Sequence, residues 1–366
     1  MAIPKTLIIE GKIYPQAALE HFARHLNDAK EPWKKDVGAF IIDWISPENE
    51  IFVYTSGSTG SPRPISHSKQ AMVASARATG EFLGLKAGES ALLCLSTKTI
   101  AGMMMVVRAM VLKLNLKMVP PDGHPLSHLP MNTIPGFTAM VPAQVYNSLN
   151  QIQELEILSR IPKLIIGGGE INPALEQQLI ALPNAIYATY GMTETITHVA
   201  LRNINGVSRS DFFRALPGVK LETDERGCLV ITAPRIRTQP IVTNDLVDLQ
   251  TNNQFRWLGR YDNIINRGGQ KIIPEEVERK ISGLITSRYF IIAAKDDKFG
   301  EVPALIIESK EINDINRRLM LDQLSLALGR EAPVKLFTVE HFAETQSGKI
   351  DRGETVLDIR LRYGNL

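Results

Sequence analysis

Short apolar runs recur along the first half of the chain: IFVYT at 51–55, ALLCL at 91–95, FTAMV at 137–141 and KLII at 163–166. They alternate with longer stretches whose apolar positions fall at helical spacing, which is the rhythm of an α/β domain. One helix is marked by Asn172 as a cap, Pro173 in the first turn, and Leu175, Leu179 and Leu182 along one side. Another is predicted to start near Ser68 and to align Met72, Ser75, Thr79 and Phe82. From Gly218 to Trp257 the pattern shortens into strand-like pieces (CLVIT, PIVT, FRWL) between polar turns, which predicts a small β subdomain. A dense Gly, Asn and Arg stretch at 259–273 interrupts it, and the interdomain hinge is placed there. Strand and helix patterns then resume: helix over 274–281, strands SRYFIIAA and VPALIIES, helix over 313–328, strand VKLFTVE. The expected organisation is therefore a large N-terminal domain over 1–261 and a small α/β domain over 262–366.

Composition narrows the classes. Hydrophobic content of 44% and 22% charged residues suit a folded globular chain of 366 residues. Lys+Arg at 41 against Asp+Glu at 39 leaves +2, so no global field argues for nucleic acid or an anionic membrane, and any anion must be held locally. Cys94 and Cys228 stand far apart without metal-ligand spacing, so neither a disulfide framework nor a zinc site is implied. The start MAIPKTLIIEGKIYP lacks a signal peptide's basic start and apolar core. The apolar run from Ile100 to Val107 is closed by Arg108, too short for membrane insertion. A cytoplasmic protein is expected, with the oligomeric state, homo-oligomer included, left open.

Five segments carry chemistry. Thr55-Ser56-Gly57-Ser58-Thr59-Gly60-Ser61-Pro62-Arg63 follows a strand-like run. Small residues let backbone amides approach a phosphate, hydroxyls donate to its oxygens, and Arg63 adds charge. It has neither the GxxxxGK[ST] pattern nor GxGxxG. Tyr190-Gly191-Met192-Thr193-Glu194-Thr195 could set an aromatic face and close backbone beside an adenine, with Glu194 on a phosphate-bound Mg²⁺. Asp245, and Arg260 within Gly259-Arg260-Tyr261-Asp262, could bracket a ribose diol. Arg267-Gly268-Gly269-Gln270-Lys271 offers a hinge turn or a flat surface for a ligand. Lys349, within Ser347-Gly348-Lys349, suits charge neutralisation as pyrophosphate leaves an α-phosphate. Taken singly, each also reads as a surface turn, an ordinary ion pair or a solvated side chain.

Order and spacing separate these readings. Hydroxyl-rich loop, Gly167-Gly168-Gly169-Glu170, Tyr-Gly-Met-Thr-Glu, Asp245, Gly-Arg-Tyr-Asp, Gly-Gly-Gln-Lys and Ser-Gly-Lys come one after another over about 50–355. In this the chain resembles the adenylate-forming family of acyl-CoA synthetases, peptide-synthetase adenylation domains and luciferases. The resemblance implies that family's fold, a large α/β domain with a β subdomain and a small mobile C-terminal domain hinged near Asp262. It implies an ATP-dependent acid–thiol ligase using Mg²⁺ and coenzyme A. Thr55 to Gly60 and Arg63 would lie on the phosphates, with Thr59, Glu194 and Lys349 catalytic. Gly168, Gly169, Glu170, Tyr190 and Gly191 would form the adenine pocket, Met192 and Thr193 would also belong to the ATP/AMP site, Asp245 and Arg260 would hold the ribose, and Gly268, Gly269 and Lys271 would serve the thioester step.

Three departures stand out: a shorter stretch before the hydroxyl-rich loop, Arg63 where Lys is usual, and Asn244 where Gly usually precedes the Asp. Charge and carboxylate are kept, and Lys349 is present. Within the family, MVPAQ at 140–144, Ile100-Ala101-Gly102 with the run to Arg108, and YGMTETITHVALR at 190–202 are similar to o-succinylbenzoate–CoA ligases. That similarity implies a small carboxylic acid, o-succinylbenzoate, as substrate. Its second carboxylate would need cationic or hydroxyl donors beside an apolar wall. Arg108, Thr195, Thr197 and His198 are the candidates. Another acyl or aryl acid, a carrier-protein thiol as acceptor, and a non-catalytic nucleotide-binding regulator are the competing readings.

Overall fold

A computed structural model describes residues 2–55, 63–250, 253–310, 312–344 and 350–364. The chain divides into two compact units, Met1–Leu221 with Ile231–Ile241 and Thr251–Gln254, and Glu222–Val230 with Val242–Gln250 and Phe255–Leu366. The pieces 222–230 and 242–250 thus group with the C-terminal residues rather than with the first unit. Side-chain bonds from Arg226 through Asn244 to Asp262 are one physical reason.

In the first unit, strands β1 (Leu7–Ile9) and β2 (Lys12–Tyr14) precede helices α1 (Gln16–Asn27) and α2 (Pro32–Ile45). The hairpin of β3 (Glu50–Thr55) and β4 (Arg63–Ser68) leads into α3 (Lys69–Leu83). Then come β5 (Ser90–Leu93), α4 (Ile100–Leu112), β6 (Asn115–Met118), β7 (Phe137–Met140), α5 (Pro142–Leu149), α6 (Ile152–Arg160) and β8 (Lys163–Ile166). The series continues with α7 (Pro173–Ile180), β9 (Ala185–Gly191), β10 (His198–Asn203) and β11 (Phe213–Ala215). The main sheet runs β2-β1-β6-β5-β7-β8-β9-β10-β11. From β1 to β9 every neighbour is parallel; β2, β10 and β11 add antiparallel strands. Parallel strands are covered on both faces and read as continuous apolar runs, which is why ALLCL and KLII lack alternation.

Side-chain caps set three of the helix starts described in the first unit. Asn172 accepts from the amide of Leu175 at 2.8 Å with Pro173 in the first turn, as the sequence predicts, although the helix ends at Ile180, before Leu182. Ser68 caps α3, burying Met72, Ser75 and Thr79. Thr99 caps α4, whose residues 102–110 are all buried. Gly102 is obligatory there, because a Cβ would stand 2.2 Å from the Ser96 carbonyl oxygen. Cys94 and Cys228 are buried and free, and burial pushes the Cys94 thiol up to about 12. No helix among the described residues is long and apolar enough to cross a membrane.

The successive neighbours β12 (Lys220–Thr223), β13 (Cys228–Thr232), β14 (Ile241–Gln250) and β15 (Gln254–Arg260) give the second unit their residues 222–223, 228–230, 242–250 and 255–260. After them come β16 (Ile265–Arg267), β17 (Gln270–Ile272), α8 (Pro274–Ile281), β18 (Tyr289–Asp296), β19 (Gly300–Glu308), α9 (Asp314–Leu328), β20 (Lys335–Val339) and α10 (Arg352–Tyr363). The sheet β17-β16-β19-β18, with β20 parallel to β19, buries Ile265, Ile272, Ile291, Leu305 and Leu336 against Val277, Ile281 and Leu324.

Lys69 is an unusual core residue, 2% exposed and in no ion pair among the described residues. Its ammonium donates to the carbonyls of Asp43 (2.6 Å) and Ser46 (3.1 Å), the last turn of α2, where the helix end carries partial negative charge. Lys69→Met would strand these acceptors and is expected to lower stability by about 1–3 kcal/mol. A chemical-denaturation midpoint equal to wild type would refute this capping role.

Candidate active site

Open parallel sheets bind ligands at the carboxyl ends of their strands, where strand order reverses. Here the reversal lies between β5 and β7, because β6 continues to one side of β5 while β7, β8 and β9 build the other. Gln144, the last residue of MVPAQ, spans this point. Its amide donates to the carbonyls of Cys94 and Asp122, both at 2.9 Å, and its oxygen accepts from the Val141 amide. That segment is therefore a brace at the switch point.

The glycines after β8 have separate reasons to be glycine. The Gly167 amide donates to Met140 O at 3.1 Å, and a Cβ there would stand 2.0 Å from Thr189 Oγ1. Gly168 has φ +76, a left-handed conformation that disfavours side chains. Gly169 and the exposed Glu170 come next. After β9, Gly191 sits against β10, since a Cβ would meet the Thr197 oxygen at 2.3 Å. Tyr190 packs on Phe213 with ring centroids 5.8 Å apart. Sequence reasoning saw these motifs but not Gly167 as a packing requirement.

Met192, Thr193 and Glu194 lead into a tight turn. Thr195 is fully buried; its hydroxyl accepts from the Met192 amide at 2.9 Å and has the Thr197 carbonyl within 2.6 Å, so it closes the turn. Ile196 has φ +67 and ψ −57, with the Thr197 amide donating to the Thr195 carbonyl at 2.7 Å. This is the γ-turn of positive φ, a strained form of the kind that collects at functional sites. No sequence signal marked Ile196. Glu194 is exposed, and its charge opposes the burial that lowers the proton affinity of His67 on β4. The His67 Nε2 atom is buried and has no hydrogen-bond partner among the described residues, and sequence reasoning missed it.

Beyond the turn lies a buried polar chain. Arg108, 1% exposed on α4, donates from Nη2 to Thr197 Oγ1 at 3.2 Å. Thr197 Oγ1 is 3.3 Å from His198 Nδ1, and His198 Nε2 is 3.0 Å from Thr79 Oγ1. Thr79 in turn donates to the Ser75 carbonyl at 3.1 Å. Because Thr79 uses its one proton on that carbonyl, it must accept from His198 Nε2–H. Nδ1 is then the acceptor of the Thr197 proton, and Thr197 is left to accept from Arg108. Burial, reinforced by the nearby Arg108 charge, holds the His198 imidazole well below its usual range, so it is neutral as this scheme requires. Burial also lowers Arg108 to about 10. It stays charged at neutral pH, and among the described residues its Nε has no hydrogen-bond partner and no ion pair reaches it.

In the second unit, Asp245 is 8% exposed and lies 3.6 Å from Arg260 Nη1. Arg260 Nη2 also donates to Asp262 at 3.1 Å. Asn244 accepts from Arg226 Nη1 at 2.9 Å and donates to the Asp262 carboxylate at 3.2 Å. Arg226 lies over the Tyr261 ring at 5.1 Å. Asp245 and Arg260, the pair expected to bracket a ribose, thus lie together in an ion pair that also takes in Asp262, and Arg226 was not foreseen. Gly268 (φ +54) and Gly269 (φ +88) form the two-residue turn between the register partners Arg267 and Gln270, a geometry that needs positive φ twice. Lys271 is exposed beyond it.

Ser56, Gly57, Ser58, Thr59, Gly60 and Lys349 lie outside the described residues. Thr55 and Arg63 appear as register partners at one end of the β3–β4 hairpin. Among the described residues no group of three His, Cys, Asp or Glu could hold a metal. A single exposed carboxylate such as that of Glu194 would suit an ion that arrives on substrate phosphates, since Mg²⁺ is commonly held by one or two carboxylates plus phosphate.

A family model described as AMP-binding enzyme matches residues 12–227, and the chain belongs to that family. A structure of an acyl-CoA synthetase (AMP-forming)/AMP-acid ligase II-like protein from Dyadobacter fermentans is 34% identical, covers 93% of this chain and 98% of its own, with TM-score 0.64. The 2-succinylbenzoate–CoA ligase of Haemophilus influenzae is 27% identical over 270 residues, 70% of this chain and 59% of that relative, so the chain spans 59% of its length. The o-succinylbenzoate CoA synthetase of Bacillus subtilis, solved with its acyl-adenylate, shares the fold at TM-score 0.73 and 15% identity, with 97% and 96% coverage. The fold is that of the adenylate-forming enzymes.

His198 supplies a pH test. Its folded-state proton affinity is depressed, so below the ordinary histidine value of about 6.5 the unfolded chain binds the extra proton and stability falls with pH. The slope per such group is at most about 1.4 kcal/mol per pH unit. His198→Phe should flatten the fall of the thermal midpoint between about pH 6.5 and 5. A slope unchanged by the substitution would contradict a buried neutral imidazole.

Proposed function

We propose that this chain is an ATP-dependent acid–thiol ligase that activates o-succinylbenzoate as an acyl-adenylate and transfers the acyl group to coenzyme A. The observation that carries the substrate is Arg108: a buried guanidinium with an unbonded Nε and no carboxylate in any ion pair of the described residues. A buried charge without a counter-charge is expensive, and a substrate with a second, non-reacting carboxylate would supply one. The similarity to 2-succinylbenzoate–CoA ligases supports that choice of acid.

In the first half-reaction a substrate carboxylate oxygen attacks the α-phosphorus of Mg·ATP, and the bond to pyrophosphate breaks. Ser56 to Thr59 and Arg63 bind the phosphates, Glu194 holds the magnesium, and Lys349 offsets charge as pyrophosphate leaves. Gly168 to Glu170 with Tyr190 and Gly191 take the adenine, and Asp245 and Arg260 the ribose. Arg108 with Thr197 orients the distal carboxylate; the Thr195 hydroxyl, engaged by its own turn, serves through the turn's shape. In the second half-reaction the coenzyme A thiolate attacks the acyl carbonyl and AMP departs with the bonding electrons. Gly268, Gly269 and Lys271 serve that step, with Asp262 as the hinge between the two states.

A panel of acids with ATP and coenzyme A, read by mass spectrometry, is expected to give o-succinylbenzoyl-CoA with stoichiometric AMP and pyrophosphate. Absence of acid-dependent pyrophosphate exchange would overturn the ligase reading, and product only on a carrier-protein thiol would replace the acceptor. Arg108→Met should lower kcat/KM for o-succinylbenzoate by about 10- to 150-fold, the scale of one charge-assisted hydrogen bond, and affect an acid without a second carboxylate far less. Equal losses for both acids would reject the assignment. Lys349→Ala should slow adenylation by about a hundredfold or more with ATP affinity nearly unchanged, and near-normal pyrophosphate release in a single turnover would exclude that role.

A further inference from the structure

The second unit carries a cleft that the ligase reading does not use. Its volume is about 390 Å³, within the range of small-molecule sites. One wall is a stripe of α9 (Asp314, Arg317, Arg318, Asp322 and Ser325), and opposite it stand Arg267 and the segment Ala332 to Val334. The spacing 314, 317/318, 321/322, 325 is one helical face, so the polar groups come from sequence periodicity.

The arginines are placed with little neutralisation. Arg267 donates to the backbone carbonyl of Arg330 at 2.6 Å and lies 5.3 Å over the Phe299 ring. Those contacts fix the guanidinium, but neither carries a full negative charge to cancel it. Arg317 meets Asp314 at 3.4 Å through a carboxylate that is 98% exposed, and its Nε is buried with no hydrogen-bond partner among the described residues. Arg318 adds a third cation against the two carboxylates, Asp314 and Asp322. A bare anion such as sulfate would meet repulsion from the aspartates. A molecule with phosphate at one end and hydroxyls at the other satisfies both sets, because guanidinium forks suit phosphate oxygens while carboxylates and Ser325 accept from hydroxyls.

We propose that this cleft is a binding site for a phosphorylated polyol, a sugar phosphate or the ribose-phosphate part of a nucleotide. The site shares no residue with the adenylation set and does not depend on the ligase reading. The test is calorimetry on the full chain with ribose 5-phosphate, adenosine 3′-monophosphate and ribose as probes. Wild type should bind both phosphates saturably, more weakly as salt rises, and ribose should bind at least tenfold more weakly. Arg317→Ala/Arg318→Ala, substitutions on partly exposed positions, should weaken phosphate binding at least tenfold while circular dichroism and acid-dependent pyrophosphate exchange stay at wild-type levels. Equal affinity of the two phosphates supports a sugar phosphate, and at least tenfold tighter nucleotide binding supports a nucleotide. Overturning results are no saturable phosphate binding, equal affinity in variant and wild type, or ribose binding as tightly as its phosphate. Loss of pyrophosphate exchange in wild type would strike the ligase reading and leave these measurements intact.

Discussion

The first unit depends on one directional chain of hydrogen bonds, from Arg108 on α4 through Thr197 and His198 to Thr79 on α3. Each hydroxyl in it has a single proton, so the direction is forced once Thr79 donates to Ser75. The chain ties two helices to the start of β10, and that start also holds the γ-turn at Ile196. Strain of this kind, about 1–3 kcal/mol, persists only where surroundings over-determine the backbone. Here the Thr195 hydroxyl on one side and the Thr197 contacts on the other do so.

Glycine is required next to this chain for steric reasons. Gly191 lets β9 lie against the Thr197 carbonyl, Gly167 makes room for Thr189, and Gly102 lets α4 approach the backbone at Ser96. A side chain at Gly102 would push α4, which carries Arg108, off the Ser96 backbone, and one at Gly191 would push β9 off the segment at Thr197 and His198. Gly167 and Gly191, which look like ligand-binding motifs in sequence, are thus also positions where packing leaves no room for a side chain, and one residue type meets both demands.

The second unit shows how a departure from the family pattern is absorbed. Asn244 stands where Gly is usual, and its side chain bridges Arg226 and Asp262. Arg226 completes the group by stacking on Tyr261 and bonding to Asp224. These ion pairs are largely solvent-exposed, so each contributes little singly. Their effect is to hold Asp262 and Arg260 in one arrangement around Asp245.

The sequence by itself determined the α/β rhythm, the caps at Ser68 and Asn172, and the order of motifs that marks the family. Those features are local: they rest on periodicity, capping chemistry and residue spacing, which the linear chain carries in full. Partnerships between distant residues needed the fold. Lys69 reads as a surface lysine until α2 brings its carbonyls to it, and Gln144 reads as a helix residue until the strand reversal puts Cys94 and Asp122 within its reach. Thr195 looked like a substrate contact, yet the turn engages its hydroxyl. Gly268-Gly269 read as a hinge turn or a ligand surface, and only the fold shows that they make a two-residue hairpin turn needing positive φ at both. Burial and hydrogen-bond partners are set by which segments meet, and only tertiary packing decides that.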